Sequence, residues 1–201
     1  MDLYFSPRCG NSKRVLFAIE ELGLDVERRP IDLRRGEHKT PAYLAMNPAG
    51  KVPLLVDGEL LLWESNAILL YLAEQRPDRG LLPEGANARA EVYKWLFFLA
   101  YEIAKPAFQY FFHQARIGPT VDAHDLEAAG KSLQAAMPVI EQQLTNRSFL
   151  LDAFSLADVA YAPSMSILKI AGFDLAAWPH LAAWSDALLA RPAWQTISAA
   201  A

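Results

Sequence analysis

The stretch LYFSPRCGNSKRVLFAIEELGL, residues 3–24, predicts a strand, a turn and a helix in that order. Its first apolar run is broken at residues 6–7, Ser-Pro, and apolar residues then recur at helical spacing. Gly23 follows where a residue in the left-handed conformation commonly ends a helix. The turn contains the only cysteine of the chain, Cys9. Because a helix N-terminus carries unpaired N–H groups and a partial positive charge, it favours a thiolate in this turn.

The composition is that of a globular protein with a substantial core. The chain has 201 residues, of which 53% are hydrophobic and 21% charged, and this length allows one large domain or two small ones. A net charge of -4 gives no basic footprint for nucleic acid. One cysteine rules out an internal disulfide, and no spacing resembles a zinc site, so no metal is expected. The chain lacks a signal-peptide pattern and a membrane-spanning apolar run, so we expect a cytoplasmic protein.

A second strand is predicted at residues 26–33, where apolar and charged residues alternate. Pro30 weakens this strand or places it near an edge of the sheet, because proline cannot donate to the hydrogen-bond ladder. A strand, a helix and a strand of this length imply a parallel pair with a right-handed crossover. A charged loop and a short helix at residues 41–46 follow.

A β-hairpin is predicted where two apolar runs flank residues 57–58, Asp-Gly. Pro53 belongs at the start of the first hairpin strand, and the sequence leaves the isomer of the preceding peptide bond open. An apolar helix follows the hairpin, with Ser65 or Asn66 as its predicted N-cap. The order of elements so far is that of a small mixed sheet with helices packed on it.

Two domains are therefore predicted. The first is an α/β domain over residues 1–76, and a turn-rich linker covers residues 77–86. No convincing strand follows, so residues 87–201 are predicted to form an all-α domain.

Proline and glycine residues divide the predicted helical domain. The first long helix covers residues 88–116, and Pro106 within it predicts a kink. Residues 118–119, Gly-Pro, predict its end, and a second helix is predicted at residues 122–144. Residues 155–158, Ser-Leu-Ala-Asp, have the pattern of a capping box at the start of an apolar helix.

Four motifs in a fixed order resemble the cytosolic glutathione transferases. They are the first turn at residues 6–15, GEHK at 36–39, NPAGKVPLL at 47–55 and WESNAI at 63–68. The set is similar to the theta, phi and delta classes and their bacterial relatives. The resemblance implies a thioredoxin-like N-terminal domain, an all-helical C-terminal domain and a homodimer. It also implies a detoxification activity in which the thiolate of glutathione, the co-substrate, attacks a hydrophobic electrophile.

The resemblance assigns glutathione-binding roles to the matching positions. Ser65, at a helix N-terminus, would take the γ-glutamyl carboxylate, and Glu64 would pair with the ammonium group. The backbone of Val52, held by Pro53, would bond the cysteinyl amide like an added strand. The glycine carboxylate would meet His38, Lys39 and Lys51.

Cys9 occupies the position where theta, phi and delta transferases have a serine that hydrogen-bonds the glutathione thiolate. The beta and omega classes have a cysteine there. Cys9 could therefore form a mixed disulfide with glutathione and support thiol–disulfide exchange or deglutathionylation. If instead the glutathione thiolate does the work, some donor must stabilise it, and the candidates within reach of the same turn are Ser12, Asn11, Ser6 and Tyr4. The structural alternative for Cys9 is a small buried hydrophobe.

Aromatic residues of the long helix are the candidates for a hydrophobic substrate site contributed by the helical domain. Most of these aromatics are expected to pack in the core, and the residues predicted to line the substrate site are Tyr101, Phe108 and Phe112. A different hypothesis is a non-catalytic binding protein on the same fold. The complete set of matching glutathione-binding positions argues against it.

Overall fold

The computed structural model describes residues 1–115 and 122–199. It contains two compact units, Met1–Leu82 with Pro192–Ala201, and Pro83–Arg191. The boundary at Leu82 falls inside the predicted linker, while the C-terminal residues group with the first unit.

The first unit contains a four-stranded mixed sheet. Its strands are β1 (Asp2–Phe5), β2 (Glu27–Pro30), β3 (Leu54–Asp57) and β4 (Leu60–Trp63). The order across the sheet is β2-β1-β3-β4, with β1 and β2 parallel and the other two pairs antiparallel. The predicted parallel pair, the edge position of the strand with Pro30 and the hairpin are confirmed.

Three helices accompany this sheet: α1 (Gly10–Leu22), α2 (Pro41–Met46) and α3 (Ser65–Glu74). The predicted stop of α1 is confirmed, since Gly23 has φ 62° and its N–H bonds the last turn. One face of α1 is completely buried, and Phe17 on that face meets Trp194 edge-on with ring centroids 5.5 Å apart. Trp194 belongs to a C-terminal helix, Pro192–Ala199, which therefore packs on α1.

The hairpin turn differs from the prediction by one residue. Asp57 pairs with Leu60, so Asp57 belongs to β3 and the two turn residues are Gly58 and Glu59. Gly58 has φ 58°, which fits the positive φ that a two-residue hairpin needs at its first position.

The predicted N-cap of α3 is wrong. Glu64 occupies the N-cap position, and Ser65 and Asn66 lie within the first helical turn. The reason is the short connection, because β4 runs to Trp63 and leaves one residue for the change of direction. Glu64 makes this change with φ 73°, and its side chain caps nothing.

The regular secondary structure in the described part of the second unit is all helical. The helices are α4 (Ala86–Phe98), α5 (Ala104–Gln114), α6 (Ala123–Leu144), α7 (Leu156–Ile170) and α8 (Pro179–Leu189), and the C-terminal helix of the first unit is α9. Where the sequence predicted a kink at Pro106, a π-helical turn, Leu99–Ile103, separates α4 from α5. Proline lacks the N–H that would bond the carbonyl of Glu102, which favours such an irregularity. The predicted helix end at residues 118–119 lies outside the described residues.

The capping box at the start of α7 is confirmed. The Ser155 N–H donates to Asp158 Oδ2 over 2.9 Å, and Ser155 Oγ accepts from the Ala157 N–H. Asp158 Oδ1 also accepts from the Leu150 N–H and from Trp184 Nε1. Burial raises the pKa of Asp158, and these hydrogen bonds oppose that shift. The carboxylate thus joins α7, α8 and the preceding loop inside one unit. None of the described helices combines the length and apolarity needed to cross a membrane.

Candidate functional site

The strand register gathers the candidate residues of the first unit at one end of the sheet. Tyr4 pairs with Leu54, and Leu54 pairs with Trp63. The end of β1, the start of β3 and the end of β4 therefore lie side by side, because antiparallel neighbours run in opposite directions. Three segments extend from this shared end: residues 6–11, residues 52–53 and residues 64–65. The topology thus assembles one polar site from positions far apart in the chain.

Cys9 lies at the N-terminus of α1 within this site. It is the N-cap residue, with φ -88° and ψ 121°, and its side chain does not cap the helix. The Cys9 Sγ lies 3.9 Å from the Val52 carbonyl oxygen, to which the thiol donates. The side chain is partly buried against a small cluster formed by Tyr43, Val52 and Leu54. The thiol is therefore close to the backbone segment predicted to bind the cysteinyl part of glutathione.

The other predicted donors of this turn have different environments. Ser12 is completely buried, and its Oγ accepts a hydrogen bond from the Ser6 N–H over 3.2 Å. Asn11 is exposed in the first turn of α1. Tyr4 is partly buried on β1, and its ring meets Tyr43 edge-on at 6.2 Å. Asn11 is therefore accessible to a ligand, whereas the buried Ser12 side chain stabilises the turn through its hydrogen bond with Ser6.

The backbone before Val52 is held by two buried side chains. The Lys51 carbonyl accepts hydrogen bonds from the Tyr43 hydroxyl over 2.6 Å and from Asn47 Nδ2 over 2.8 Å. Tyr43 is 3% and Asn47 1% exposed. Burial raises the pKa of Tyr43 to about 12, so its hydroxyl remains a donor at neutral pH. The Val52–Pro53 bond that follows is cis.

Sequence reasoning missed this pair of carbonyl-binding residues. Tyr43 fits the apolar pattern of a short helix, and Asn47 before Pro48 fits its end, so neither residue signals a role at the site. The available signal is Asn47 itself, because asparagine prefers caps and turns and this one lies four residues before the carbonyl that it binds.

The residues predicted to meet the glycine carboxylate lie near Gly50 in space or in sequence. This residue has φ 55°, and a Cβ placed on it would lie 2.7 Å from Lys39 Nζ and 3.1 Å from the His38 carbonyl oxygen. The positive φ and these close approaches favour glycine at this position. Lys51, next in sequence, is exposed, as is Lys39. Among the described residues, the buried His38 Nδ1 has no hydrogen-bond partner.

Glu64 and Ser65 extend from the same end of the sheet. Glu64 is exposed, and its φ of 73° lies in the left-handed region that a non-glycine residue rarely adopts. Ser65 is 7% exposed and begins α3. Because no side chain caps this helix, its N-terminal N–H groups can receive an anion.

The aromatic candidates lie in the second unit. Tyr101, in the π-helical turn, is 76% exposed, and Phe108 on α5 is 57% exposed. Phe112 is partly buried, with its ring 5.7 Å from that of Phe108. These exposures exclude Tyr101 and Phe108 from the core of their unit. Their role in a substrate site stays a prediction.

A metal site has no support in the described part of the chain. Within residues 1–115 and 122–199, no group of three or more His, Cys, Asp or Glu side chains is placed to hold a metal ion.

Two family models match the chain. One, described as "Glutathione S-transferase, N-terminal domain", matches residues 1–74. The other, described as "Glutathione S-transferase, C-terminal domain", matches residues 93–192.

Individual relatives match almost end to end. Glutathione S-transferase 3 of Zea mays is 36% identical over 209 residues, which covers 100% of this chain and 94% of the relative. The structure of glutathione S-transferase-I bound with the ligand lactoylglutathione has a TM-score of 0.89 at 33% identity and covers 98% of both chains. A poplar glutathione transferase F1 mutant with cysteine in place of a serine has a TM-score of 0.92 at 25% identity, covering 100% of this chain and 98% of that one.

Proposed function

Because the chain belongs to the glutathione S-transferase family, we propose that it transfers glutathione, through its thiolate sulfur, to electrophilic small molecules. The predicted fold class, a thioredoxin-like α/β domain followed by an all-α domain, is confirmed. The observation that carries the proposal is the shared end of the sheet, where Cys9, Val52 and Ser65 come together.

The residues of this end match the chemistry of glutathione. The tripeptide has two carboxylates, an ammonium group and a thiol. The uncapped start of α3 with Ser65 suits the γ-glutamyl carboxylate, and the exposed carboxylate of Glu64 suits the ammonium group. The ammonium groups of Lys39, which lies close to Gly50, and of the exposed Lys51, next in sequence, suit the glycine carboxylate. His38 adds a ring nitrogen that lacks a partner among the described residues.

The backbone of Val52 orients the central part of the ligand in this proposal. Its position is set by Tyr43 and Asn47, which bind the preceding carbonyl of Lys51. An extended peptide bonded to Val52 would place its cysteinyl sulfur at the N-terminus of α1, beside Cys9. The partial positive charge of that terminus stabilises a thiolate, and the thiol proton passes to solvent.

Conjugation then requires one bond to form and one to break. The thiolate sulfur bonds to the electrophilic carbon, and the leaving group departs with the electron pair of its former bond. We propose Cys9 and Asn11 as the accessible side chains beside this thiolate, and Tyr4 as a more distant member of the site. Ser12 supports the turn through its bond to Ser6.

A second candidate function follows from the position of the Cys9 thiol. Because this thiol is partly exposed and near the proposed ligand sulfur, its thiolate can attack the glutathione sulfur of a mixed disulfide between glutathione and a substrate thiol. This forms a Cys9–glutathione disulfide and releases the substrate thiol. Glutathione would then reduce the Cys9–glutathione disulfide and leave as oxidised glutathione. The family relatives named here favour conjugation over this alternative.

The test is a conjugation assay with glutathione and chlorodinitrobenzene, an activated aryl chloride, alongside binding to immobilised glutathione. We expect binding and turnover, and Ser65→Ala should raise the KM for glutathione about tenfold with a smaller change in kcat. A purified, folded protein that neither binds glutathione nor conjugates a panel of electrophiles would overturn the proposal and favour a non-catalytic role.

Several finer expectations stay predictions. They concern the homodimer, the cytoplasmic location, the kinship with bacterial relatives and the hydrophobic character of the electrophile. Sedimentation at the mass of two chains, rather than the 22.3 kDa of one chain, would support the dimer.

A further inference from the structure

Arg14 is a buried cation beside the proposed glutathione site. It lies on α1, five positions after Cys9, and only 4% of its surface is exposed. Its Nη1 donates a hydrogen bond over 3.0 Å to Oδ1 of Asn66, which lies 52 positions further along the chain. A buried guanidinium group is costly to leave without partners, so this contact constrains both side chains.

The contact joins the N-terminal regions of two helices. Cys9 is the N-cap of α1, and Asn66 directly follows Ser65 in the first turn of α3. The Glu64 side chain does not cap α3, and the bond from Arg14 fixes a side chain in the first turn of this helix. The bond therefore relates the position of the proposed γ-glutamyl site to that of the proposed sulfur site.

The backbone at Glu64 makes this support necessary. A φ of 73° is unfavourable for a non-glycine residue, so the conformation persists only if the neighbouring structure holds it. Asn66, two positions later, is anchored to the buried Arg14. Without that anchor, the turn can relax toward negative φ and move Glu64 and Ser65 together.

We propose that Arg14 and Asn66 are positioning residues for the γ-glutamyl end of glutathione, an inference that rests on the proposed function. Neither side chain is assigned a contact with the ligand. Both act through Ser65 and Glu64, whose geometry they hold. The cysteinyl-glycine part of the ligand is bound by Val52, Lys39 and Lys51, and should not depend on this pair.

The experiment compares two ligands on the same variants. Isothermal calorimetry measures the affinity of wild-type protein and Asn66→Ala for glutathione and for cysteinylglycine, which lacks the γ-glutamyl group. We expect Asn66→Ala to weaken glutathione about tenfold and to leave cysteinylglycine within about twofold. Asn66→Asp keeps an acceptor for Arg14 and should restore most of the lost affinity.

Arg28→Ala is the matched control for an arginine variant. Arg28 pairs with Glu20 of α1 at the exposed side of the same helix, away from the shared end. Arg28→Ala should leave the affinities for glutathione and for cysteinylglycine unchanged, whereas Arg14→Ala should behave like Asn66→Ala. If Arg14→Ala does not fold, the Asn66 variants decide alone.

Two results would overturn the inference: equal weakening of both ligands by Asn66→Ala, or unchanged affinity for glutathione. A wild-type protein that fails to bind glutathione would instead count against the proposed function, so the two failures are distinguishable.

Discussion

The Sγ atom of Cys9 lies 3.9 Å from the carbonyl oxygen of Val52. This places the one thiol of the protein beside the backbone segment proposed to bind the cysteinyl part of glutathione. Two sulfur atoms would therefore meet at the N-terminus of α1, and the chemistry depends on which of them reacts. Substitution of Cys9 separates the two possibilities.

Cys9→Ser should abolish disulfide exchange and preserve conjugation. A serine hydroxyl can donate to a thiolate but cannot form a mixed disulfide. We expect conjugation of chlorodinitrobenzene within about tenfold of wild type, and at least about a hundredfold loss of glutathione-dependent reduction of hydroxyethyl disulfide. Cys9→Ala is the control, since it removes the side-chain donor at position 9 and should conjugate more slowly than Cys9→Ser. Undiminished disulfide reduction in Cys9→Ser would contradict a covalent role for Cys9.

Tyr43→Phe should weaken glutathione binding without removing the fold. The substitution deletes the 2.6 Å hydrogen bond to the Lys51 carbonyl, but Asn47 still binds the same oxygen. We expect a stability loss of about 1 kcal/mol in urea unfolding and a severalfold rise in the dissociation constant of glutathione. Tyr71→Phe is the matched control, because the Tyr71 hydroxyl bonds Asp57 at the opposite end of β3. Equal affinity in wild type and Tyr43→Phe would contradict the proposed role of this bond.

The same tyrosine gives a pH dependence. Burial raises the pKa of Tyr43 from 10.0 to about 12, so the folded state keeps a proton that the unfolded state releases. The native state then binds more protons between these values, and stability must fall as pH rises from 10.0 to about 12. Below 10.0 the contribution is fully present. We expect a shallower loss of stability in Tyr43→Phe than in wild type over this window, measured by urea unfolding at each pH.

Local patterns were sufficient for most of the fold. The spacing of apolar residues predicted β1, α1 and the hairpin, and Gly23 predicted the end of α1. These predictions are confirmed. Each rests on a signal that acts within a few residues of the structure that it determines. The motif set named Cys9, Val52 and Ser65 as site residues, and the strand register brings these three positions to one end of the sheet. Their roles toward a ligand stay predictions.

Contacts distant in sequence could not be predicted in this way. The bond from Arg14 to Asn66 spans 52 positions, and no periodicity encodes it. At Glu64 the capping rule failed for a related reason. Ser65 is the better capping residue by preference, but the single-residue connection after β4 requires a sharp change of direction at Glu64. Tertiary geometry therefore determines both the pairing of Arg14 with Asn66 and the backbone conformation at Glu64, and both features lie at the candidate site.

Gly50→Ala should be more damaging than Gly58→Ala. Both glycines have similar positive φ values, 55° and 58°, so alanine has the same backbone penalty of about 1 kcal/mol at either position. A Cβ at Gly58 meets nothing within 4 Å, whereas at Gly50 it would lie 2.7 Å from Lys39 Nζ and 2.9 Å from Leu44 Cδ2.

We expect Gly50→Ala to lose about 1–3 kcal/mol more stability than Gly58→Ala in urea unfolding, because the neighbours must move. It should also raise the KM for glutathione, since Lys39 is displaced from the glycine-carboxylate position. Equal stabilities of the two variants would show that the Lys39 side chain moves away from the new Cβ without a measurable cost in stability. An unchanged KM for glutathione would then show that Lys39 does not contribute to ligand binding.

Glu64→Gly should stabilise the protein and weaken ligand binding at the same time. The left-handed backbone at φ 73° penalises glutamate but not glycine. We expect a stability gain of roughly 0.5–1 kcal/mol in urea unfolding, because the extra freedom of glycine in the unfolded chain offsets part of the relief. The lost carboxylate should weaken glutathione about tenfold, since the ammonium group loses its charged partner.

Glu64→Gln is the matched control for that substitution. It keeps the side-chain size and the backbone penalty and removes only the charge, so its stability should stay within about 0.5 kcal/mol of wild type. Its affinity for glutathione should fall as in Glu64→Gly. If Glu64→Gly gains stability and loses affinity for glutathione, whereas Glu64→Gln loses affinity alone, the backbone at Glu64 is held in a costly conformation at a ligand-binding position. If Glu64→Gly is less stable than wild type, the side chain contributes more to folding than its backbone costs, and the strain argument fails.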